Sequence, residues 1–316
     1  MISRAGQRPA RLFYVVLSLR FYGECHGIGS AIDAKHPVFT VTAIYLSIFD
    51  VGILVECASP AVTELVRTGF SAFEVGPCDP ILRYRLEGRD TNGFQVQRDS
   101  EPAVALATRY ECLYHFEKDL TIQLELVRKD LFFIHGAVVT LDDRACLISA
   151  PSGSGKSTIS WALLHHGFGY MSDELAPIEL SSLRVQPYPH AVCHKRHPPA
   201  PYSLPQQTLV TECTLHVPVE ALPSEVVGRA LPLSAMLFVR YNPKADSPSI
   251  TPISTAEGCM HLFANGLNQL QHENKGLAAA ADIAKRVPAY KVETAELGQS
   301  ALLLREFTES LFRADA

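Results

Sequence analysis

The chain has no cysteines paired at metal or redox spacing, no long apolar run and no excess of positive charge. Its eight cysteines, Cys25, Cys57, Cys78, Cys112, Cys146, Cys193, Cys213 and Cys259, stand singly without a C-x-x-C pair. That excludes a zinc ribbon and a disulfide framework, and a reduced, cytoplasmic chain is expected. No run approaches the ~18 apolar residues of a membrane helix, so no membrane partner is expected. The apolar stretch 12–19 follows Arg4, Arg8 and Arg11 but is cut by Arg20 and lacks a small-residue cleavage site, so a secretory signal is not expected either. A net charge of −5 and a pI near 6.2 leave no basic stripe to neutralise phosphodiesters, so nucleic acid is not the expected partner.

What is present is ample apolar material, 47% of 316 residues, enough for more than one unit. Residues 1–35 mix Arg, Gly and His without period and read as an N-terminal extension. Residues 36–130 read as a small α+β domain: strands at 44–49 and 53–57 around a tight turn, a helix capped by Ser59-Pro60, strands near 81–87 and 93–97, and a helix over 119–132. Residues 131–316 read as an α/β unit, with strands at 137–141 and 146–149, a helix at 157–166 and a strand at 168–172. The segment 186–205 carries Pro187, Pro189, Pro198, Pro199, Pro201 and Pro205, which predicts a long surface loop without regular structure. Strands near 237–241, 250–253 and 290–294 and helices over 255–270, 277–286 and 295–312 follow. No repeat or low-complexity tract is visible.

The chemistry concentrates between two of these elements. Ala150-Pro151-Ser152-Gly153-Ser154-Gly155-Lys156-Ser157 fits the phosphate-loop pattern, with Ala150 where the pattern has its first Gly. Glycines let backbone N–H groups curl around phosphates, Lys156 offers a cation to the terminal phosphates, and the Ser157 hydroxyl suits Mg²⁺. A helix starting there, through Ser157 and Thr158, aims its positive end at the same anion. The match stands where a strand ends and a helix begins, as the mechanism requires. ATP and Mg²⁺ are therefore the expected cofactors. Seventeen residues after Lys156 comes Asp173-Glu174, at the end of the next strand. The intervening 157–168 is long enough for a parallel crossover, so both acids should emerge at the sheet edge that carries the loop. One would hold Mg²⁺ and the other would accept a proton from an attacking hydroxyl.

Together these features resemble the HPr kinase/phosphorylase family and its serine-kinase relatives, including kinases associated with lasso-peptide biosynthesis. The resemblance runs from His135-Gly136 through the loop to Asp173-Glu174. More weakly it extends through Pro187-Tyr188-Pro189, Lys195 and Phe238-Val239-Arg240-Tyr241 to Arg286-Val287-Pro288-Ala289-Tyr290, about half the chain. It implies a phosphate-loop core of the HPr kinase type with a mixed sheet. It also implies Asp173 as catalytic base, Glu174 with Ser157 on the metal, and His135 near the transferred phosphoryl. Departures are Glu174 in place of the family's second Asp, Ala150 in the loop, and no glycine-rich signature after the acids, which favours a kinase without the reverse activity.

The reaction so implied is transfer of the γ-phosphoryl of ATP to a serine of a peptide or small protein, with the C-terminal serine of a lasso-peptide precursor as the specific expectation. An HPr-type carrier as acceptor, an ATP hydrolase and a nucleotide-binding regulatory module are the alternatives, and a homo-oligomer is left open. Lys195 could offer a cation to phosphate or substrate, or be a solvated lysine. Arg240, after an apolar strand, could reach the phosphates or make a surface salt bridge. His190, Cys193, His194 and His197 fit no familiar zinc spacing.

Overall fold

The computed structural model describes residues 41–151 and 153–314, which form a mixed α/β architecture built on three sheets. The expected extension 1–35 and Ser152 lie outside the described residues. Among those residues no helix is long and apolar enough to cross a membrane.

The first sheet has six strands, β1 (Thr42–Ile48), β2 (Val51–Cys57), β3 (Glu74–Val75), β4 (Leu82–Arg89), β5 (Gly93–Arg98) and β6 (Val104–Leu106), in the order β3-β1-β2-β4-β5-β6. Phe49 and Asp50 turn β1 into β2 with φ of 51° and 63°, the pair of positive angles whose twist suits a two-residue hairpin. Helix α1 (Pro60–Phe70), which starts on the Ser59 side chain as expected, crosses from β2 to its parallel neighbour β4. Alternation is clean: Leu82, Tyr84 and Leu86 are buried while Arg83 and Arg85 face solvent.

Helix α2 (Arg109–Val127) corrects the expectation of a helix over 119–132. Its start is set ten residues earlier, where Thr108 Oγ1 accepts the Glu111 N–H at 3.1 Å and the Glu111 carboxylate accepts the Ala107 N–H at 2.7 Å. The apolar run after it is not its last turn but a strand, β7 (Leu131–His135), paired with residues 175–179. Glu125 of α2 is buried, and burial pushes its carboxyl up to about 8. Below the ordinary value of 4.5 both folded and unfolded chains hold that proton, so there is no penalty. As pH rises from there toward 8 the unfolded chain ionises first, and stability falls. Glu125→Gln should accordingly stabilise the fold by roughly 2–3 kcal/mol at pH 7 and by almost nothing at pH 4, as urea denaturation at the two pH values would show.

The second sheet has nine strands. β8 (Ala137–Leu141), β9 (Arg144–Ser149) and β10 (Gly169–Ser172) are joined by a turn at Asp142-Asp143 and by helix α3 (Lys156–His165). β11 (Leu175–Glu179) and β12 (Arg184–Val185) follow directly. The third sheet is small: β13 (Val192–His194), β14 (Leu209–Val210) and β15 (Leu215–Val217). The long β16 (Leu231–Tyr241) returns to the second sheet, followed by β17 (Ser249–Pro252), α4 (Thr255–Asn265), α5 (Leu277–Arg286), β18 (Ala289–Thr294) and α6 (Leu297–Ala314).

β16 is parallel to β9 on one side and to β18 on the other, while β8 is antiparallel to both β9 and β10. The carboxyl ends of β9, β10, β16 and β18 therefore share one edge. One face of the sheet packs on α3 and α6 through Trp161, Leu163, Leu237, Val239 and Leu304; the other packs on α4 and α5 through Met236, Phe238, Leu262 and Ile283. The first sheet's core continues into the second unit through Leu131, Phe133, Leu175 and Tyr188.

The segment 186–205 is not the surface loop that its prolines predict. Tyr188, His190, Ala191, Val192, His194 and Tyr202 are buried. The prolines flank β13 without entering it, so its three residues keep their ladder donors and pair with β15.

Candidate active site

Strand β9 ends at Ser149, and the chain turns through Gly153 and Gly155, whose φ values of +80° and +93° would strain a side-chain-bearing residue. Nothing lies within 4 Å of a Cβ built on Gly153, so the space beside the loop is open there. The Ser154 N–H closes the turn on Pro151 O at 3.1 Å, and Tyr241 N–H holds Ser154 O at 3.2 Å, fixing the loop to the end of β16. Helix α3 starts at Lys156 with Gly155 as its left-handed cap, so the N–H groups of Lys156, Ser157 and Thr158 have no carbonyl four residues back and face the loop. Ile159, Trp161, Leu163 and Leu164 bury α3 almost all round, with the Trp161 indole N–H on Tyr202 O at 2.9 Å. Such a helix cannot shift without opening the core.

The acids sit where the chain leaves β10 for β11. Ser172 clamps this two-residue corner: its hydroxyl donates to Leu175 O at 2.6 Å and accepts the Leu175 N–H at 3.3 Å. Beside it the chain passes from β7 to β8 through Gly136, whose N–H donates to Glu174 O at 3.2 Å. A Cβ on Gly136 would stand 2.7 Å from Leu147 Cδ1 and 3.0 Å from Ile148 O, so the close approach of this crossing to β9 favours glycine. Ser149 Oγ donates to His135 O at 3.0 Å, tying the end of β9 to the same corner.

Five side chains meet there. Lys156 Nζ donates to Asp173 O at 2.5 Å and lies 3.6 Å from Asp173 Oδ1 and 3.5 Å from Glu174 Oε1. Ser157 Oγ and the Cys193 N–H both donate to Asp173 Oδ2 at 3.1 Å. His135 Nδ1 lies 3.3 Å from Glu174 Oε2. Asp173 is 1% exposed, and its Oδ1 is buried without a hydrogen-bond partner. The Glu174 side chain, by contrast, is 35% exposed. Burial disfavours the charge on Lys156, but Asp173 and Glu174 outweigh it and raise its pKa. Burial likewise pushes Glu174 up, and Lys156 followed by His135 pulls it below the ordinary carboxylate value. Burial lowers His135 against the attraction of Glu174, which keeps the imidazole neutral near pH 7.

One cation against two carboxylates leaves the cluster one negative charge in excess. Two carboxylates, one of them with a buried oxygen that makes no hydrogen bond, and a hydroxyl form a hard-oxygen donor set of the kind Mg²⁺ takes. The residues present therefore fit a divalent cation next to an anion held by the loop.

Of the expected site residues, Lys156, Ser157, Asp173, Glu174 and His135 converge, with Gly153, Ser154, Gly155 and Thr158 on the loop and first helical turn. Ser157 meets Asp173, not Glu174. Arg240 is exposed and shares the strand parity of Phe238, on the α4 and α5 face opposite α3, so it is not brought to the cluster. Lys195 is exposed just past β13. His190 and Cys193 belong to a support that sequence reasoning missed. Glu117 of α2 lies 2.9 Å from His190 Nε2, Ala191 N–H donates to Gly69 O at 3.2 Å, and the strand so anchored presents the Cys193 N–H to Asp173. Burial weighs against both charges of the Glu117 and His190 pair, yet their mutual attraction prevails, lowering Glu117 and raising His190. A backbone donor leaves no trace in residue identity; the only available signal was the Val192-Cys193-His194 alternation.

No family model matches the chain, and no curated protein matches it. Among solved structures, the Hpr(Ser) kinase/phosphatase from Coxiella burnetii is similar over 56% of this chain and 88% of its own, at 13% identity and a TM-score of 0.30.

Proposed function

We propose that the chain is an ATP-dependent kinase that transfers the γ-phosphoryl group to a hydroxyl, with a serine of a peptide or small protein as acceptor. The observation that carries this reading is the convergence of Lys156, Ser157 and Asp173 beside a glycine-turned loop at a helix start. In this reading the loop N–H groups bind the β-phosphate and Lys156 turns from the acids to the terminal phosphates. Ser157 and Asp173 are the metal side, because their oxygens are already 3.1 Å apart and the second oxygen of Asp173 makes no hydrogen bond. A Mg²⁺ ion held there would neutralise charge on the phosphates.

Glu174 is the proton acceptor. A base must be reachable by the acceptor hydroxyl, and Glu174 is at the mouth while Asp173 is covered. The acceptor oxygen bonds to the γ-phosphorus as the bond to the bridging oxygen of ADP breaks, and the hydroxyl proton passes to the Glu174 carboxylate. His135 orients that carboxylate. This assignment exchanges the two roles that the family resemblance implies.

Mass spectrometry of serine-containing peptides incubated with the chain, ATP and Mg²⁺ tests the reading. The panel should include a lasso-type precursor ending in serine and an HPr-type carrier. A gain of one phosphate, lost in Lys156→Ala, is expected. Steady phosphate release with no acceptor modified would instead indicate a hydrolase. Glu174→Gln should lower transfer about 10²–10⁴-fold while leaving ATP affinity within about threefold, and full activity in that variant would exclude Glu174 as the base.

A further inference from the structure

We infer that the Tyr241 ring is the platform on which the nucleoside base stacks, an assignment that rests on the phosphate-loop reading and adds base recognition to it. Tyr241 is the last residue of β16, the strand next to β9, and it stands at the edge from which the loop springs. Strand parity puts its side chain on the face of Leu237 and Val239, which is the face α3 covers. Its backbone N–H holds Ser154 O at 3.2 Å, and a Cβ on Gly155 would lie 3.6 Å from Tyr241 Cβ. The backbone that carries the ring is thus fastened to the loop.

Two further observations point to a ligand. The residue is 52% exposed, although an apolar strand leads straight into it. Among the described residues the ring makes no aromatic, cation–π or hydrogen-bond contact. The backbone just beyond is fixed to the neighbouring strand, with the Asn242 N–H on Thr294 O at 2.9 Å and the Lys244 N–H on Asn242 Oδ1 at 3.0 Å. Single exposed aromatics are common and need no explanation by themselves. This one is fastened to the two residues that would touch the phosphates, and a triphosphate in the loop leaves its sugar and base to leave along the edge that the ring occupies. Every base offers a π-face, so stacking here takes a nucleoside triphosphate without choosing strongly among bases.

The test compares Mg²⁺-ATP with Mg²⁺ and inorganic triphosphate, by calorimetric titration of the full chain. Tyr241→Ala should weaken ATP roughly 5- to 150-fold, the equivalent of one stacked base, and leave inorganic triphosphate within about twofold. Tyr241→Trp should keep or tighten ATP. The inference is overturned if Tyr241→Ala leaves ATP unchanged, if it weakens both ligands equally, or if the Trp variant loses ATP like the Ala variant. Failure of the underlying reading looks different: the wild-type chain would bind neither ligand, or Lys156→Ala would leave both affinities untouched.

Discussion

Asp173→Asn should abolish the Mg²⁺-dependent tightening of ATP binding and lower phosphoryl transfer by at least about 10³-fold, with the metal-free affinity for ATP little changed. The expectation follows from where the Asp173 oxygens go. Oδ2 accepts from Ser157 and from the Cys193 N–H, and Oδ1 is buried without a hydrogen-bond partner. An amide at this position retains one oxygen but turns an N–H₂ toward donors, and it removes the charge that holds a dication. Losing charge stabilisation by a metal costs several kcal/mol in the transition state, and each 1.36 kcal/mol is about tenfold in rate. Were Asp173 the base, as the family resemblance implies, the substitution would remove transfer and leave the Mg²⁺ dependence of binding intact. Titrating ATP into the variant with and without Mg²⁺ separates the two.

The second large effect concerns stability and function together. Lys156 is 8% exposed and is the cation that two carboxylates share, so Lys156→Met leaves the covered Asp173 carboxylate without its counter-charge. Stranding one partner of a buried pair costs about 3–5 kcal/mol, whereas removing both costs much less. Lys156→Met alone should lower unfolding free energy by that amount at pH 7. Lys156→Met with Asp173→Asn should recover most of it, while transfer stays lost in both. Because the pKa of Lys156 is raised, its contribution is complete at neutral pH and declines only as pH climbs through the raised value. Urea denaturation of the two variants checks this. Equal stability losses in the single and double variants would show that Lys156 and Asp173 do not compensate each other.

Some of this arrangement is legible in the residues and some is not, for physical reasons. The turn at 153–155 is local: Gly153 and Gly155 supply left-handed backbone angles that few other residues adopt, so residue identity and backbone conformation go together there. The meeting of the acids with the loop is legible too. The twelve or so residues between them suffice for one helical crossover, and such a crossover returns parallel to the same edge. The hairpin turns follow from similar local rules.

What could not be read depends on distant partners. Prolines around 192–194 argue against a ladder, yet those three residues find theirs in 215–217, across a separation no local rule spans. The helix expected over 119–132 starts ten residues earlier because Thr108 and Glu111 cap it, and it stops short of Leu131 because 131–135 pairs with β11 as a strand. Which of two adjacent acids is covered rests on how Ser172 folds the corner, a matter of one hydroxyl and two backbone atoms. Arg240 required knowing which face of β16 carries α3, since one residue of parity sends it to the other side of the sheet.

The central claim is that a triphosphate in the glycine-turned loop and the acids of the β10–β11 corner act on one metal. A crystal structure of the chain with Mg²⁺ and a non-hydrolysable ATP analogue tests it most directly. The account predicts the terminal phosphate within hydrogen-bond distance of Lys156 Nζ, and the ion about 2.1 Å from both Ser157 Oγ and an Asp173 oxygen. A nucleotide bound away from the loop, or an ion that ignores Ser157 and Asp173, would contradict it.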